Sequence, residues 1–193
     1  MPKASENAAF DSAAVYFKAG RKVIGSDGWD TDQRTMLKLC SEGANACFIS
    51  GDIDTTHELI NGVLDRQDIP VLDKFDVYEV KILAAAGAGA GIYGEAINTA
   101  FSFRKQLGLP TMKNKPVSEL VIIKEFIKTK RRLGNMTAED IASLPELTDD
   151  RIIKGQRMLE LAVTSAYAVS IGQVVLAYFI YVSHCHLLFF YSF

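Results

Sequence analysis

The sequence predicts an all-α protein built from stacked antiparallel helix pairs, a tetratricopeptide-like solenoid. Three observations predict this fold: apolar residues recur at spacings of three and four, no segment shows convincing strand alternation, and one pattern repeats after about 40 residues. The composition fits a folded chain, since 49% of the 193 residues are hydrophobic and the net charge is −2. This balance excludes a disordered chain and supplies no overall field to attract nucleic acid.

The predicted helices follow in order along the chain. The first covers residues 7–23. The second begins at Asp30, which we expect to cap it together with Gln33, and it ends at Gly51. Its predicted buried stripe comprises Met36, Cys40, Gly43, Ala44, Cys47 and Phe48.

The third helix is expected to start at Asp52, whose carboxylate can accept hydrogen bonds from the free N–H groups of a helix N-terminus. A further helix begins at Asp149, and Thr148 is its predicted cap. The other predicted helices cover residues 74–86, 94–107 and 116–133.

The 40-residue repeat relates the segments that follow Gly51 and Gly91. Each hairpin alone cannot bury its apolar face, so a repeat of this length predicts that neighbouring hairpins stack. The equivalent pairs are Ile53 and Tyr93, Thr56 and Ala96, Ile60 and Ala100, and Val63 and Phe103.

A glycine-rich segment offers an alternative function. Gly89, Gly91 and Gly94 have the spacing of a dinucleotide-binding loop, and residues 77–83 can be read as the strand before it. The acidic residue expected about 20 positions further on is missing. We therefore interpret the segment as a turn between helices, and a nucleotide-dependent enzyme remains the alternative.

Two clusters contain possible metal ligands. Asp52, Asp54, His57 and Glu58 lack the glycine and the final glutamate of a calcium loop, so helix capping is the better interpretation. The segment from His184 to His186 has no evident further ligands. We assign no catalytic, cofactor-binding or metal-binding residue, and we expect no enzyme activity and no cofactor.

The charged residues divide the chain, because none occurs among the 33 residues from Leu161 to Phe193. We therefore predict a helical-repeat domain over 1–170 and an apolar tail over 171–193. The tail has about the length that spans a bilayer. It is either a membrane anchor or a helix that further repeats would cover. Three cysteines, an odd number, favour reduced thiols and a cytoplasmic protein.

Several short motifs occur in a characteristic order between residues 9 and 170. They are Trp29, SGD at 50–52, DKFDVYEVKI at 73–82, EAI at 95–97, LGLP at 107–110, LPELTDD at 144–150 and AY at 166–167. This order resembles the helical-repeat region of large multidomain signalling proteins. In that family the region lies between a kinase-like and AAA-type ATPase part and a C-terminal GAF and histidine-kinase part.

The resemblance implies a scaffold or regulatory segment, and a fragment of a larger protein. This chain lacks the family's nucleotide-binding loop and its phospho-acceptor histidine motif, so neither activity carries over to any residue here. We expect the partner to be a protein or another domain of a larger chain, and not nucleic acid, because the basic residues between 113 and 132 are interleaved with a single aromatic, Phe126, which offers no series of stacking platforms. The predicted partner contacts are Arg34, Lys38, Glu42 and Asn45.

Overall fold

The computed structural model describes two compact units, residues 1–84 and 85–193, with gaps. The described residues are 4–25, 27–87, 93–109, 111, 120, 123, 124, 127, 130, 131, 134, 137, 139, 140, 143 and 147–169. All regular secondary structure in these residues is helical, which confirms the all-α prediction. The predicted helix over 116–133 and the tail over 171–193 lie wholly or mostly outside them.

The helices begin and end close to where the sequence places them. In the first unit they are α1 (Ala4–Ile24), α2 (Gly28–Thr31), α3 (Gln33–Ser50), α4 (Ile53–Leu64), a 3₁₀ helix (Val71–Lys74) and α5 (Phe75–Gly87), whose last residues belong to the second unit. The second unit also contains α6 (Tyr93–Gln106) and α7 (Asp150–Val169). The segment 77–83 lies inside α5, which confirms the predicted helix over 74–86 and contradicts the alternative interpretation of this segment as a strand.

The N-terminal caps of the helices confirm one expectation and correct two. Asp52 caps α4, because its Oδ1 accepts a hydrogen bond from the backbone N–H of Thr55 at 3.1 Å. Asp30 does not cap α3: it lies in α2, and Asp32, with φ −148°, interrupts the helical backbone and caps α3 instead. The spacing of apolar residues does not reveal an interruption of the helix at a single residue such as Asp32.

At the start of α7 the cap is Asp149 and not Thr148. The Asp149 carboxylate accepts from the backbone N–H of Arg151 at 2.9 Å, and an ionised carboxylate is a stronger acceptor than a hydroxyl. The predicted end of α3 is confirmed, since Gly51 adopts the left-handed conformation with φ 85°. A residue without a Cβ takes up this conformation at little cost.

The core of the first unit lies where α3 packs against α1 on one side and α4 on the other. Gly43 permits the close approach: a Cβ built on it would lie 3.1 Å from Cβ of Phe17 in α1 and 3.4 Å from Cδ1 of Leu59 in α4. The buried residues of this core are Ala14, Met36, Cys40, Ala44, Ala46, Cys47, Leu59, Ile60, Val63, Val77 and Val80.

In the second unit α6 packs against α7. The start of α6 is displaced by 40 residues from the start of α4, as the repeat predicts. Three of the four equivalent pairs are buried on both helices, namely Thr56 and Ala96, Ile60 and Ala100, and Val63 and Phe103. In the fourth pair Ile53 is 44% exposed, because it lies at the first position of α4. The repeat alignment therefore identifies the buried face of both helices.

The buried thiols of Cys40 and Cys47 lead to a test of the native state. Both are free and nearly inaccessible, and burial raises the pKa of each thiol. Because the thiolate is the reactive form, we expect a Cys185→Ser variant to react negligibly with Ellman's reagent until it is unfolded in guanidinium. Rapid reaction of either thiol in native buffer would contradict this packing.

Candidate binding cleft

An open cleft of about 630 Å³ lies in the first unit and is walled by four helices. We call it the α1–α4 cleft. Its lining residues are Lys18, Arg21, Lys22, Gly25, Trp29, Met36, Thr55 and Glu58. Its volume is within the range of small-molecule pockets, roughly 300–1,000 Å³.

One wall of the cleft is a face of α1. Arg21 and Lys22 are three and four residues after Lys18, so each lies next to Lys18 on the surface of the helix, and Gly25 follows the end of α1. Glu58 is the only carboxylate among the lining residues of the cleft. The cleft therefore has a local excess of positive charge, although the chain as a whole carries −2.

Lys18 is held in place by the cap of α4. Its Nζ donates to Oδ2 of Asp52 at 2.5 Å, and the same carboxylate oxygen accepts from the Thr55 hydroxyl at 2.8 Å. The hydrogen bond from Lys18, with further ones from Thr55, lowers the pKa of Asp52 to about 2, and the same bond raises the pKa of Lys18. This ion pair connects the middle of α1 to the start of α4.

Arg21 is held more weakly than Lys18. Its Nη1 and Nη2 both donate to one oxygen of Glu58, each at 3.2 Å, and Glu58 is 66% exposed. The Nε of Arg21 is buried and has no acceptor among the described residues. Lys22 is exposed and forms no ion pair within the described part of the chain. Two of the three cations are thus available to another anion.

Trp29 forms the aromatic part of the wall and is fixed by its neighbours. The guanidinium carbon of Arg66 lies 4.8 Å from the centre of the ring, and Nη2 of Arg66 is 3.0 Å from Oδ2 of Asp68. That oxygen also accepts from Nε2 of Gln33 at the start of α3. The hydrogen bonds from Arg66 lower the pKa of Asp68. This network connects α2 and α3 to the segment that follows α4.

A buried lysine secures that same segment. Lys74 is 6% exposed, and its Nζ donates to the backbone carbonyl of Leu64 at 3.2 Å and to that of Arg66. Desolvation lowers the pKa of Lys74. Carbonyls at the end of a helix have no partner within the helix. Lys74 supplies that partner and holds the backbone that carries Arg66 against Trp29.

The partner contacts predicted from sequence lie elsewhere. Arg34, Lys38, Glu42 and Asn45 are all exposed on one face of α3, and Lys38 and Glu42 form a pair at 3.6 Å. The residue by which α3 reaches the cleft is Met36. The sequence reasoning missed the cations of α1, although their spacing of three and four, shortly before the only tryptophan, was visible.

The other candidate sites are resolved only in part. Gly89, Gly91 and the segment from His184 to His186 lie outside the described residues, while Gly94 is exposed in α6 with open space around it. Among the described residues, no group of three or more His, Cys, Asp or Glu side chains is placed to hold a metal. No helix within the described ranges has the length and apolarity needed to cross a bilayer.

Comparison with known proteins adds no assignment. No protein-family model, curated protein or solved structure matches the chain. The function is therefore argued from the residues of this chain.

The Asp52 pair predicts a loss of stability in acid. The pKa of Asp52 is below its ordinary value in the folded chain, so the ionised carboxylate stabilises the fold at neutral pH. This contribution is lost as the pH falls from about 4 towards 2. We expect Asp52→Asn to be less stable than the unaltered protein at pH 7 in urea unfolding, and the difference to shrink over that interval.

The matched control is Asp54→Asn, which removes an exposed carboxylate from the same first turn of α4. It should change stability little, because Asp54 neither caps the helix nor pairs with Lys18. An Asp52→Asn deficit that is the same at every pH would show that the charge of Asp52 does not stabilise the fold.

Proposed function

We propose that this chain is a non-catalytic helical module that binds a protein partner through the α1–α4 cleft. The cleft itself carries the proposal, because it combines an open volume of about 630 Å³ with cations, a hydroxyl, an indole and a thioether in its walls. Polypeptide segments present the complementary mixture of charged, polar and apolar side chains.

We also propose that the helices continue as stacked pairs, as in the solenoid that the sequence predicts. The support is the 40-residue offset between α4 and α6 and the burial of equivalent positions on both. A role in signalling is supported by the sequence resemblance described above. Arg34, Lys38, Glu42 and Asn45 are a second candidate contact surface on the exposed face of α3.

Affinity capture with two matched variants tests the role of the cleft. Arg21→Gln with Lys22→Gln removes the two available cations of the cleft, while Arg34→Gln with Lys38→Gln removes two cations from the exposed face of α3. We expect partner recovery, measured by quantitative mass spectrometry, to fall at least about tenfold with the first pair, which corresponds to about 1.4 kcal/mol of binding free energy.

Arg34→Gln with Lys38→Gln should leave partner recovery unchanged if the cleft is the binding site. Because both pairs neutralise two cations, a general charge effect would lower recovery equally with both. Circular dichroism of each variant checks that the helices are intact. A partner retained by the cleft variant and lost with the α3 variant would overturn the proposed site and favour the surface of α3.

A further inference from the structure

We infer that the α1–α4 cleft binds an acidic polypeptide segment, with a carboxylate at Arg21 and Lys22 and an adjacent apolar side chain against Trp29 and Met36. The inference rests on the proposed function, since it names the chemical class of the partner. Two features of the cleft support it: cations that can still pair with a ligand, and an apolar surface beside them.

The three cations of the cleft differ in how firmly their present partners hold them. Lys18 is not available to a ligand, because it is paired with Asp52, which also caps α4. Arg21 shares a single oxygen of Glu58 at 3.2 Å through both of its terminal nitrogens, and Glu58 is largely exposed. Exposed ion pairs contribute little to stability, because water screens both charges. A ligand carboxylate can therefore replace Glu58 at little cost.

A ligand carboxylate can form a better hydrogen-bond geometry with Arg21 than Glu58 does. A guanidinium binds a carboxylate best through two parallel N–H···O bonds to two different oxygens. The present contact with Glu58 uses one oxygen only. Lys22 lines the same cleft and forms no ion pair within the described residues, so it is available to the same ligand.

An apolar wall lies beside the cations of the cleft. Trp29 and Met36 line the cleft together with Arg21 and Lys22. Inorganic phosphate would occupy the charged part and leave this wall in contact with water. An acidic polypeptide segment uses both the charged and the apolar parts.

Trp29 provides the measurement, because it is the only tryptophan of the chain. The full chain would be titrated with a short capped peptide of glutamate and leucine, with its glutamine counterpart, and with inorganic phosphate. We expect a saturable change in tryptophan emission with the glutamate peptide. Binding of the glutamine peptide should be at least about tenfold weaker, as expected when a charge-assisted contact is lost.

Two further readouts connect the signal to the cleft. Arg21→Gln with Lys22→Gln should weaken binding of the glutamate peptide at least about tenfold, whereas Lys105→Gln, at an exposed position of α6, should not. Added sodium chloride should weaken binding, since exposed charges are screened within about 10 Å at 0.1 M salt. Calorimetry repeats each titration without depending on Trp29.

The outcomes separate this inference from the proposed function. Equal binding of both peptides, no saturable binding of the glutamate peptide, or an equal response to phosphate alone would overturn the acidic-segment inference. The affinity-capture experiment would still test whether the chain binds a protein partner through the cleft. Glutamate-selective binding together with partner capture that is unaffected by the cleft variant would instead overturn the proposed function and leave the ligand chemistry in place.

Discussion

Replacing Gly43 with valine is expected to destabilise the first unit by roughly 2–3 kcal/mol, as overpacking of a well-packed core usually does. Gly43 is buried where α1, α3 and α4 meet. Even a Cβ would lie 3.1 Å from Cβ of Phe17, which is closer than most such contacts. The two further methyl groups of valine need space that Phe17 and Leu59 occupy. Urea unfolding followed by circular dichroism measures the loss.

Gly62→Val is the matched control, since it makes the same substitution in an exposed stretch of α4. No heavy atom lies within 4 Å of a Cβ built on Gly62. Valine has a higher helix propensity than glycine by a few tenths of a kcal/mol. The control should therefore be neutral or slightly stabilising. Equal losses in the two variants would mean that the three helices do not approach one another at Gly43 as described.

Replacing Lys74 with methionine is expected to cost about 2–3 kcal/mol, because it removes charge-assisted hydrogen bonds from two carbonyls and leaves those acceptors without a partner. Methionine is close to lysine in length, so the loss is chiefly polar and not a cavity. The carbonyls concerned belong to Leu64 and Arg66. We also expect the emission of Trp29 to change, since the backbone at Arg66 positions the guanidinium over its ring.

Lys38→Met makes the same substitution at an exposed position. The pair of Lys38 with Glu42 has the i,i+4 spacing, and both side chains are largely accessible. Pairs of this kind contribute about 0.3–0.5 kcal/mol. A large gap in unfolding free energy between the two variants is therefore expected. If Lys74→Met is as mild as Lys38→Met, the ammonium group of Lys74 does not secure the end of α4.

The helices were predictable because their signals are local. Spacings of three and four placed five of the six predicted residues of the α3 stripe in the core, and the sixth, Phe48, is partly buried. Gly51 and Asp52 marked the boundary between α3 and α4. The caps at Asp32 and Asp149 were missed because each lies within two residues of the predicted cap, and apolar periodicity does not resolve the difference. The repeat alignment identified three buried pairs in α4 and α6, whereas Ile53, at the start of α4, is exposed.

The site was less predictable, because it depends on which faces meet. Lys18 and Asp52 are 34 residues apart, and Arg21 and Glu58 are 37 apart. Periodicity within one helix carries no information about such pairs. The sequence placed Arg34, Lys38, Glu42 and Asn45 on one helix face, and the structure shows that face exposed, but it does not line the cleft.

The sequence by itself determined the helical class, the boundary at Gly51 and the apolar faces, because these follow from backbone preferences and from the 3.6-residue period of a helix. Only the tertiary structure decided what the charged residues do. A lysine in a sequence is expected to be solvated, yet Lys74 is buried on two carbonyls and Lys18 is held by the cap of α4. The reason is physical: a charged side chain is placed by partners that are distant along the chain, and folding alone brings them within reach.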